Sequence, residues 1–414
     1  MRVSQLVRRE PFGQILSRTL EEFWSERNGC PVQVQWCEGG KGGGTGGQRG
    51  LGNSALNFFA TADTPLEAFD VVRRQYGRSA SRWKRLLQSG YVSACTGRQW
   101  RRFASLGFVV APAVSAGGQA LVMGGNHRLR IVNFRERSCT VVLKSRSDRG
   151  LFLDNELRFR TELQVRAVPP LLERAPQATW FVEEYVAGIG APRLPEPHAT
   201  RMVDEAARQL AQEVVRPSLR FVSAREWVTT LQAVIADRLN RVPRSAFPYR
   251  DKVEELGVSL GQVAGAGTAN REIGVAWSHG DFQRGNIMAD GERVWIVDWE
   301  SVGKRFAGYD PLTLASGSRG RDRLMGKLQA LLDDPAHFGH GLLASWPGVD
   351  WTPGNRMATV AFYLLEELVY HLTDNADPVF YEPAAWFRDY YLEIAEAGTL
   401  LQGRSLERLA SDQT

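Results

Sequence analysis

Cysteine and long apolar runs are both scarce in this sequence of 414 residues. The four cysteines, Cys30, Cys37, Cys95 and Cys139, form no CxxC pair, so neither a zinc site nor a disulfide framework is indicated. No apolar run approaches the ~18 residues of a membrane-spanning helix. The first ten residues lack the apolar core and cleavage site of a signal peptide. We therefore expect a cytoplasmic protein without membrane insertion.

Lysine is rare as well: six of the 51 basic residues are lysines and 45 are arginines. The formal net charge of +5 is modest for the length. Clusters such as Arg73-Arg74 and Arg101-Arg102 are therefore interpreted as solvated helix faces, and we expect no nucleic-acid partner. Against this bias, a lysine in an apolar strand indicates that a compact ammonium group is required there.

The apolar pattern predicts an α+β protein with three regions. Residues 1–110 form an N-terminal α+β extension of unknown role, residues 111–186 a small β-rich lobe with a linker strand, and residues 187–414 a larger helical lobe. In the extension, nine glycines occur among the fourteen residues 39–52. The GxxxxGK[ST] phosphate-binding pattern is absent, so this run is interpreted as a flexible loop or hairpin tip.

The strongest chemical pattern lies between residues 279 and 300. Transfer of a phosphoryl group requires a carboxylate to accept the proton of the attacking hydroxyl, and hard oxygen ligands for Mg²⁺. Asp281, Asn286 and Asp298 provide this set. Between the last two, Asp290-Gly291 is a hairpin-turn dipeptide followed by an apolar strand. A tight hairpin would bring Asn286 and Asp298 to the same end.

This pattern resembles the catalytic and metal-binding region of the aminoglycoside phosphotransferase and choline kinase-like family, relatives of the protein kinases. The resemblance implies a bilobal protein-kinase-like fold, with Asp281 as the catalytic aspartate and Asn286 and Asp298 as Mg²⁺ ligands. Asp310 resembles the downstream aspartate that braces the catalytic loop. Gln283 stands where the protein-kinase pattern has lysine, which favours a small-molecule kinase.

Other residues near these positions are assigned supporting roles. His279 is interpreted as a structural brace for the catalytic loop rather than as an acid or base. Glu300 is interpreted as a neighbour of the metal ligands rather than as a ligand itself.

By the same resemblance, Lys144 would pair the α- and β-phosphates of ATP. It ends the β-branched run of residues 140–143, and Glu156 on the following helix would hold it, with Glu162 as the alternative. The other interpretation of Lys144 is an exposed lysine on an edge strand that serves solubility.

Two further segments are candidates for nucleotide contacts. Gly124-Gly125-Asn126 lies between predicted strands and is a candidate for the loop over the phosphates, although a simple hairpin turn remains an alternative. Glu184-Tyr185-Val186 resembles the linker strand between the lobes, whose main chain would bind adenine.

The expected function is ATP- and Mg²⁺-dependent transfer of the γ-phosphoryl group to a hydroxyl of a small molecule such as an antibiotic, a sugar or an amino alcohol. Residues 337–354 and the helix with Glu366 and Glu367 are candidates for the acceptor site. One alternative is a kinase for a protein or glycan carrier docked by residues 1–110. Another is a non-catalytic nucleotide-binding module, against which the intact set of Asp281, Asn286 and Asp298 argues.

Overall fold

The computed structural model divides the chain into two units. The first comprises Met1–Asp154 and Pro169–Val186, and the second Asn155–Val168 and Ala187–Thr414. The residues that the structure describes are 2–39, 47–61, 63–76, 82–114, 120–177, 179–266, 272–317, 324–334 and 336–411.

The first unit is built on a nine-stranded antiparallel sheet in the order β1-β4-β2-β3-β5-β6-β7-β9-β8. Its strands are β1 (Gln33–Glu38), β2 (Gln48–Gly52), β3 (Phe59–Ala60), β4 (Leu106–Ala111), β5 (Ala120–Gly124), β6 (Arg128–Asn133), β7 (Ser138–Leu143), β8 (Leu171–Arg174) and β9 (Trp180–Glu184). Its helices are α1 (Val3–Arg9), α2 (Phe12–Asn28), α3 (Phe69–Gln75) and α4 (Arg82–Thr96).

The two faces of this sheet carry separate cores. Neighbouring residues of a strand point to opposite faces, and on β5 Leu121 and Val122 enter different clusters accordingly. Val122 packs in the cluster that contains apolar residues of α1 and α2. Leu121 packs in the cluster that contains residues of α3 and α4. The N-terminal helices therefore cover both faces of the sheet.

The sheet continues across residue 110, where the sequence placed a boundary. β4 pairs with both β1 and β2, and β3 pairs with β5 through Phe59 opposite Val122 and Ala60 opposite Leu121. The predicted N-terminal extension and the predicted β-rich lobe thus share one sheet. The strands are joined by backbone hydrogen bonds between residues far apart in the sequence, and the local apolar pattern does not predict such pairs.

The glycine-rich run is partly a strand rather than a loop. Its end forms β2, and a Cβ atom added at Gly50 would lie 2.4 Å from the ring of Phe108 on the paired strand. Glycine is therefore required there for close packing. Residues 40–46 of the run lie outside the described residues.

The second unit is mainly helical. Its helices are α5 (Asn155–Glu162), α6 (His198–Gln209), α7 (Arg216–Ser218), α8 (Ala224–Arg241), α9 (Arg250–Ala266), α10 (Tyr309–Ser316), α11 (Leu324–Asp333), α12 (Phe338–Ser345), α13 (Arg356–Asn375) and α14 (Pro383–Ser411). Its strands are β10 (Ile189–Gly190), β11 (Arg220–Ser223), β12 (Glu272–Ser278), β13 (Ile287–Asp290), β14 (Arg293–Ile296) and β15 (Gly303–Phe306). They form two three-stranded sheets, β10-β13-β14 and β11-β12-β15.

α13 is the central helix of this unit, with fourteen of its twenty residues buried. It packs against α8, α9 and α14. The predicted α+β class, with a β-rich part followed by a helical part, is confirmed. None of the described helices has the length and apolar character needed to cross a membrane.

Candidate active site

The loop that follows β12 is held in place by Asp310, which lies in the first turn of α10. Its two carboxylate oxygens accept the backbone N–H groups of His279, at 2.7 Å, and Gly280, at 3.1 Å. Burial raises the pKa of Asp310, while His279 and the two backbone donors act in the opposite direction. The predicted bracing role of Asp310 is confirmed by these bonds.

His279 links this loop to the end of the β13–β14 hairpin. Its Nδ1 accepts a hydrogen bond from the backbone N–H of Asp281 at 3.2 Å. Nε2 therefore carries the ring proton and donates a hydrogen bond to the carbonyl of Val297 at 3.0 Å. The ring is fully buried and lies 4.5 Å from the indole of Trp299. Both ring nitrogens are thus committed to the backbone, as expected for a structural brace.

The hairpin brings two of the predicted ligands to one end. Ile287 pairs with Ile296, and the N–H of Val297 donates to the carbonyl of Asn286 at 2.9 Å. Asp298 therefore follows directly after the residue that faces Asn286. The turn at the other end consists of Gly291 and Glu292, with Gly291 at a φ of 62°.

Asp281 and Asn286 are directly bonded. The Nδ2 of Asn286 donates to the Asp281 carboxylate and to its carbonyl, each at 2.9 Å. The Nε2 of Gln283 also donates to this carboxylate, at 3.0 Å. Since Nδ2 of Asn286 is committed, Oδ1 is the atom with which Asn286 would bind a cation.

Asp298 has a strained backbone, with φ 71° and ψ 54°. A non-glycine residue in this left-handed region costs on the order of 1–3 kcal/mol, and such residues cluster at functional sites. The next residue, Trp299, fixes this position: its ring stacks on Phe159 at 4.5 Å, and its Nε1 donates to the carbonyl of Ile296 at 2.8 Å. Local packing therefore holds the strained aspartate.

The donor set suits Mg²⁺. Among the described residues, no three His, Cys, Asp or Glu side chains converge on a common point. Mg²⁺ does not need such a cage, because it keeps several waters and binds substrate phosphates in addition to one or two carboxylates. One carboxylate, of Asp298, and one amide oxygen, of Asn286, fit this pattern.

Gly280→Ala is expected to disturb this loop strongly. Gly280 has a φ of 79°, and an added Cβ would lie 2.1 Å from the carbonyl oxygen of Ser301. The left-handed conformation alone costs an alanine roughly 1–2 kcal/mol, before the clash is counted. Both the unfolding temperature and turnover should fall. Gly285→Ala is the matched control, because its nearest neighbour atoms lie at 3.9 Å, and equal behaviour of the two variants would contradict the prediction.

In the first unit, Lys144 is fully buried directly after β7. Its Nζ donates to Glu10 Oε1 at 2.5 Å and to the carbonyl of Asn126 at 3.0 Å, and lies 5.3 Å from the ring centroid of Phe12. Burial lowers the pKa of Lys144 to about 8, and Glu10 acts in the opposite direction. The interpretation of Lys144 as an exposed solubility lysine is wrong.

The carboxylate bonded to Lys144 is Glu10, which the sequence analysis did not identify. Lys144 follows Val142 by two residues and points to the face of the sheet on which α1 and α2 pack. Glu10 lies between those helices, and its other oxygen accepts from Arg146. A buried charge in an ordinary amphipathic region leaves no signal in the sequence.

The predicted partners of Lys144 have other bonds, within the second unit. Glu156 accepts from the guanidinium of Arg160, one turn later on α5, at 2.6 and 2.9 Å. The alternative, Glu162, accepts from Nε1 of Trp277 at 2.7 Å. A role of Glu156 at the nucleotide stays a prediction.

The geometry of residues 124–126 favours the hairpin-turn alternative. Gly124 donates its N–H to Asn57 Oδ1 at 2.9 Å, and Gly125 donates to the carbonyl of Arg128 at 2.8 Å. Asn126 Oδ1 accepts from Arg9 at 2.9 Å. The N–H groups of both glycines, which a phosphate-binding loop would offer, are thus used within the unit.

The linker residues lie at the end of β9. The N–H of Glu184 donates to Pro170 at 3.0 Å, and that of Tyr185 to Arg137 at 2.8 Å. Adenine binding by this segment therefore stays a prediction that rests on its carbonyl groups and on Val186.

A cavity of about 1320 Å³ lies within the second unit. Residues of α6, α10, α11 and α12 line it, and Arg284, three residues after Asp281, lies on its wall. The predicted acceptor segment 337–354 contributes Phe338 and Trp346. A concave cavity beside a catalytic loop is a usual position for a small organic ligand.

Glu366 and Glu367, on the other predicted acceptor segment, are buried in the core rather than exposed to a ligand. Each is 1% exposed. Glu366 accepts from the N–H of Phe306 at 2.7 Å, and Glu367 accepts from the hydroxyl of Tyr309 at 2.5 Å. These bonds give both carboxylates a structural role.

Residues 141–346 match the model of the phosphotransferase enzyme family. No protein of curated function matches the chain. A choline/ethanolamine kinase family protein from Mesorhizobium loti is similar with 18% identity, a TM-score of 0.42 and coverage of 69% of this chain and 93% of that chain. An ethanolamine kinase from Plasmodium vivax has 9% identity, a TM-score of 0.45 and coverage of 81% and 95%. The aminoglycoside phosphotransferase APH(4)-Ia has 15% identity, a TM-score of 0.40 and coverage of 67% and 90%.

Proposed function

We propose that this chain, whose residues 141–346 match the model of the phosphotransferase enzyme family, transfers the γ-phosphoryl group of ATP, with Mg²⁺, to a hydroxyl group of a small molecule. The observation that carries the proposal is the bonded pair of Asp281 and Asn286 at the hairpin end that leads into Asp298. This arrangement supports a proton acceptor beside a cation site, which is what phosphoryl transfer requires.

Asp281 is the proposed general base. The amide groups of Asn286 and Gln283 donate to its carboxylate and hold it as an acceptor of hydrogen bonds. A positioned carboxylate can accept the proton of the attacking hydroxyl. Asn286 Oδ1 and Asp298 would hold Mg²⁺, which neutralises charge on the phosphoryl group when bound. Catalysis then rests mainly on positioning and electrostatic stabilisation.

The proposed nucleotide contacts are Lys144, Glu156 and the main chain of residues 184–186. Glu10, Asn126 and Phe12 surround the ammonium group of Lys144. Contact with a phosphate would therefore require the turn between α1 and α2 to move.

The alternative of an N-terminal docking domain loses support, because residues 1–110 are part of the same sheet as β5 to β9.

The acceptor is proposed to bind in the cavity of the second unit. Arg208, Arg216 and Lys327 line it, with Asp204 as an acidic residue. Such a lining does not attract a polycation, so we expect a neutral or anionic acceptor to be preferred over an aminoglycoside. ATP turnover against a panel of neutral, anionic and cationic hydroxyl compounds tests this, with the phosphorylated product identified by mass spectrometry. If none of the panel compounds is phosphorylated in the presence of Mg²⁺, this result would count against a small-molecule kinase.

Asp298→Ala is expected to weaken binding of Mg·ATP and to lower turnover, because a metal ligand contributes both before and during the reaction. Calorimetric titration with ATP, with and without Mg²⁺, measures the binding part. Asp290→Ala is the matched control: this aspartate is exposed at the opposite end of the same hairpin. Unchanged Mg·ATP affinity in Asp298→Ala would show that the metal assignment is wrong.

A further inference from the structure

The first half of α4 exposes large apolar side chains. Trp83 is 77% exposed, Leu86 65%, Leu87 71% and Tyr91 45%. Their spacing of three, four and eight residues places them on one side of the helix. Burying them would remove much apolar surface from water, so their exposure needs an explanation.

The opposite side of α4 anchors the helix. Val92 and Cys95 are buried in the cluster that contains Phe58, Phe69 and Trp100. Thr96 is buried as well, and its hydroxyl accepts from Arg73 at 2.9 Å. The last turns of α4 are therefore fixed to the first unit, while its first turns present their apolar side chains outward.

The sequence on both sides of this face is basic. From residue 71 to residue 135 it contains twelve Arg and Lys and no Asp or Glu, although Arg128 is buried and Arg73 pairs with Asp70 just before this stretch. Lys84 and Arg85 on α4 are exposed, and so are Arg98, Arg101 and Arg102 just after it. An exposed apolar face flanked by cations is typical of helices that lie in the interface of a membrane.

We propose that α4 binds the surface of an anionic phospholipid bilayer, with Trp83, Leu86, Leu87 and Tyr91 in the interface and the basic residues on the lipid headgroups. The charge argues against a second copy of the chain, since two such faces would repel each other. Leu86 and Leu87 in the middle of this face favour a bilayer over nucleic acid, because aliphatic side chains offer bases no stacking surface. The negative surface potential of an anionic bilayer complements both features.

The test is cosedimentation of the full chain with vesicles of phosphatidylcholine alone and of equimolar phosphatidylcholine and phosphatidylglycerol. Binding is expected to the anionic vesicles and should weaken as salt is added, because salt screens the charges. Removing both cations in Lys84→Ser/Arg85→Ser should weaken binding about 25-fold, at about 5-fold for each charge. Leu87→Ser should weaken it roughly 10-fold, because a leucine side chain no longer leaves water.

Matched controls come from the second unit. Tyr381 is 61% exposed, and the Arg388 side chain is 56% exposed. Tyr381→Ser and Arg388→Ser should bind as the wild type does. Because the α4 substitutions are on the surface, all variants should keep the unfolding temperature and any ATP turnover.

Three outcomes would overturn the proposal. The first is a folded wild type that does not bind anionic vesicles, which would leave an acidic protein as the candidate partner. The second is binding that Leu87→Ser and the double charge variant leave unchanged. The third is a wild-type dimer, measured by light scattering, that Leu87→Ser converts to a monomer, because the apolar face would then belong to a second copy.

Discussion

Asp281→Asn is expected to lower turnover by about 10²–10⁴-fold, the usual cost of losing a general base. The asparagine keeps an oxygen that can accept from Nδ2 of Asn286, so the bond that orients the loop survives. It cannot take a proton from the acceptor hydroxyl. The affinity for Mg·ATP should stay within a few-fold of wild type, because Asn286 and Asp298 remain. Steady-state kinetics and nucleotide titration measure the two effects separately.

Asp237→Asn is a suitable control for the chemistry of this substitution. Asp237 is exposed on α8, where it pairs with Arg241 at 2.9 Å. This variant should keep wild-type turnover. If Asp281→Asn also turns over at the wild-type rate, Asp281 is not the base. If it loses Mg·ATP affinity as strongly as turnover, Asp281 acts on the metal rather than on the acceptor.

The catalytic part of the molecule was predictable because its contacts are local. From His279 to Asp310 the chain forms a loop, a two-stranded hairpin and a helix start. The hydrogen bonds that hold His279, Asp281 and Asn286 join residues at most 31 positions apart. Asp290-Gly291 marks the hairpin, and the alternation after it marks the strand. A local pattern can therefore place Asn286 and Asp298 together.

The partner of Lys144 was not predictable in the same way. Glu10 lies 134 residues before it, and Glu156 was chosen because it is near in sequence on the next helix. What brings Glu10 close is the packing of α1 and α2 on one face of the sheet, and that packing involves strands far apart in the chain. The rarity of lysine indicated that an ammonium group is required, but not which carboxylate binds it.

The interpretation of the glycine-rich run as a loop was wrong at β2 for a related reason. β2 contains two glycines in five residues and follows a run of seven more, a composition that indicates a loop. It is a strand because β4 and β3 pair with it on both sides. Tertiary pairing thus overrides local preference at Gly50, where the ring of Phe108 occupies the place of a side chain.

Glu10→Gln is expected to destabilise the protein by about 3–5 kcal/mol, because it leaves buried cations without their shared carboxylate. Glu10 is 1% exposed and bonds both Lys144 and Arg146. An independent upper limit on this loss of stability is the free energy needed to deprotonate Lys144. Lys144 can escape the cost by losing its proton at pH 7, which from an unfolded pKa of 10.5 costs about 5 kcal/mol at 1.36 kcal/mol per unit. Chemical denaturation measures the loss.

The stability of Glu10→Gln should depend on pH differently from that of the wild type. In the wild type the folded pKa of Lys144 is about 8, against 10.5 in the unfolded chain. At pH 7 both states are mostly protonated, so this group raises wild-type stability by only about 0.3 kcal/mol between pH 7 and 8. In Glu10→Gln the folded pKa falls further, and between that pKa and 10.5 the unfolded state binds the extra proton. Stability of the variant should therefore rise between pH 7 and 8 by up to about 1.4 kcal/mol, which is about 1 kcal/mol more than the rise of the wild type.

Glu22→Gln is the matched control, since it removes a carboxylate of α2 whose pair with Arg18, at 2.8 Å, is exposed. It should leave stability unchanged at every pH. If Glu10→Gln does not fold, the double variant Glu10→Gln/Lys144→Met should recover part of the stability, because it removes the more deeply buried of the two cations that Glu10 pairs with. A Glu10→Gln protein as stable as Glu22→Gln, with no rise between pH 7 and 8, would show that Glu10 is not the counter-ion of Lys144.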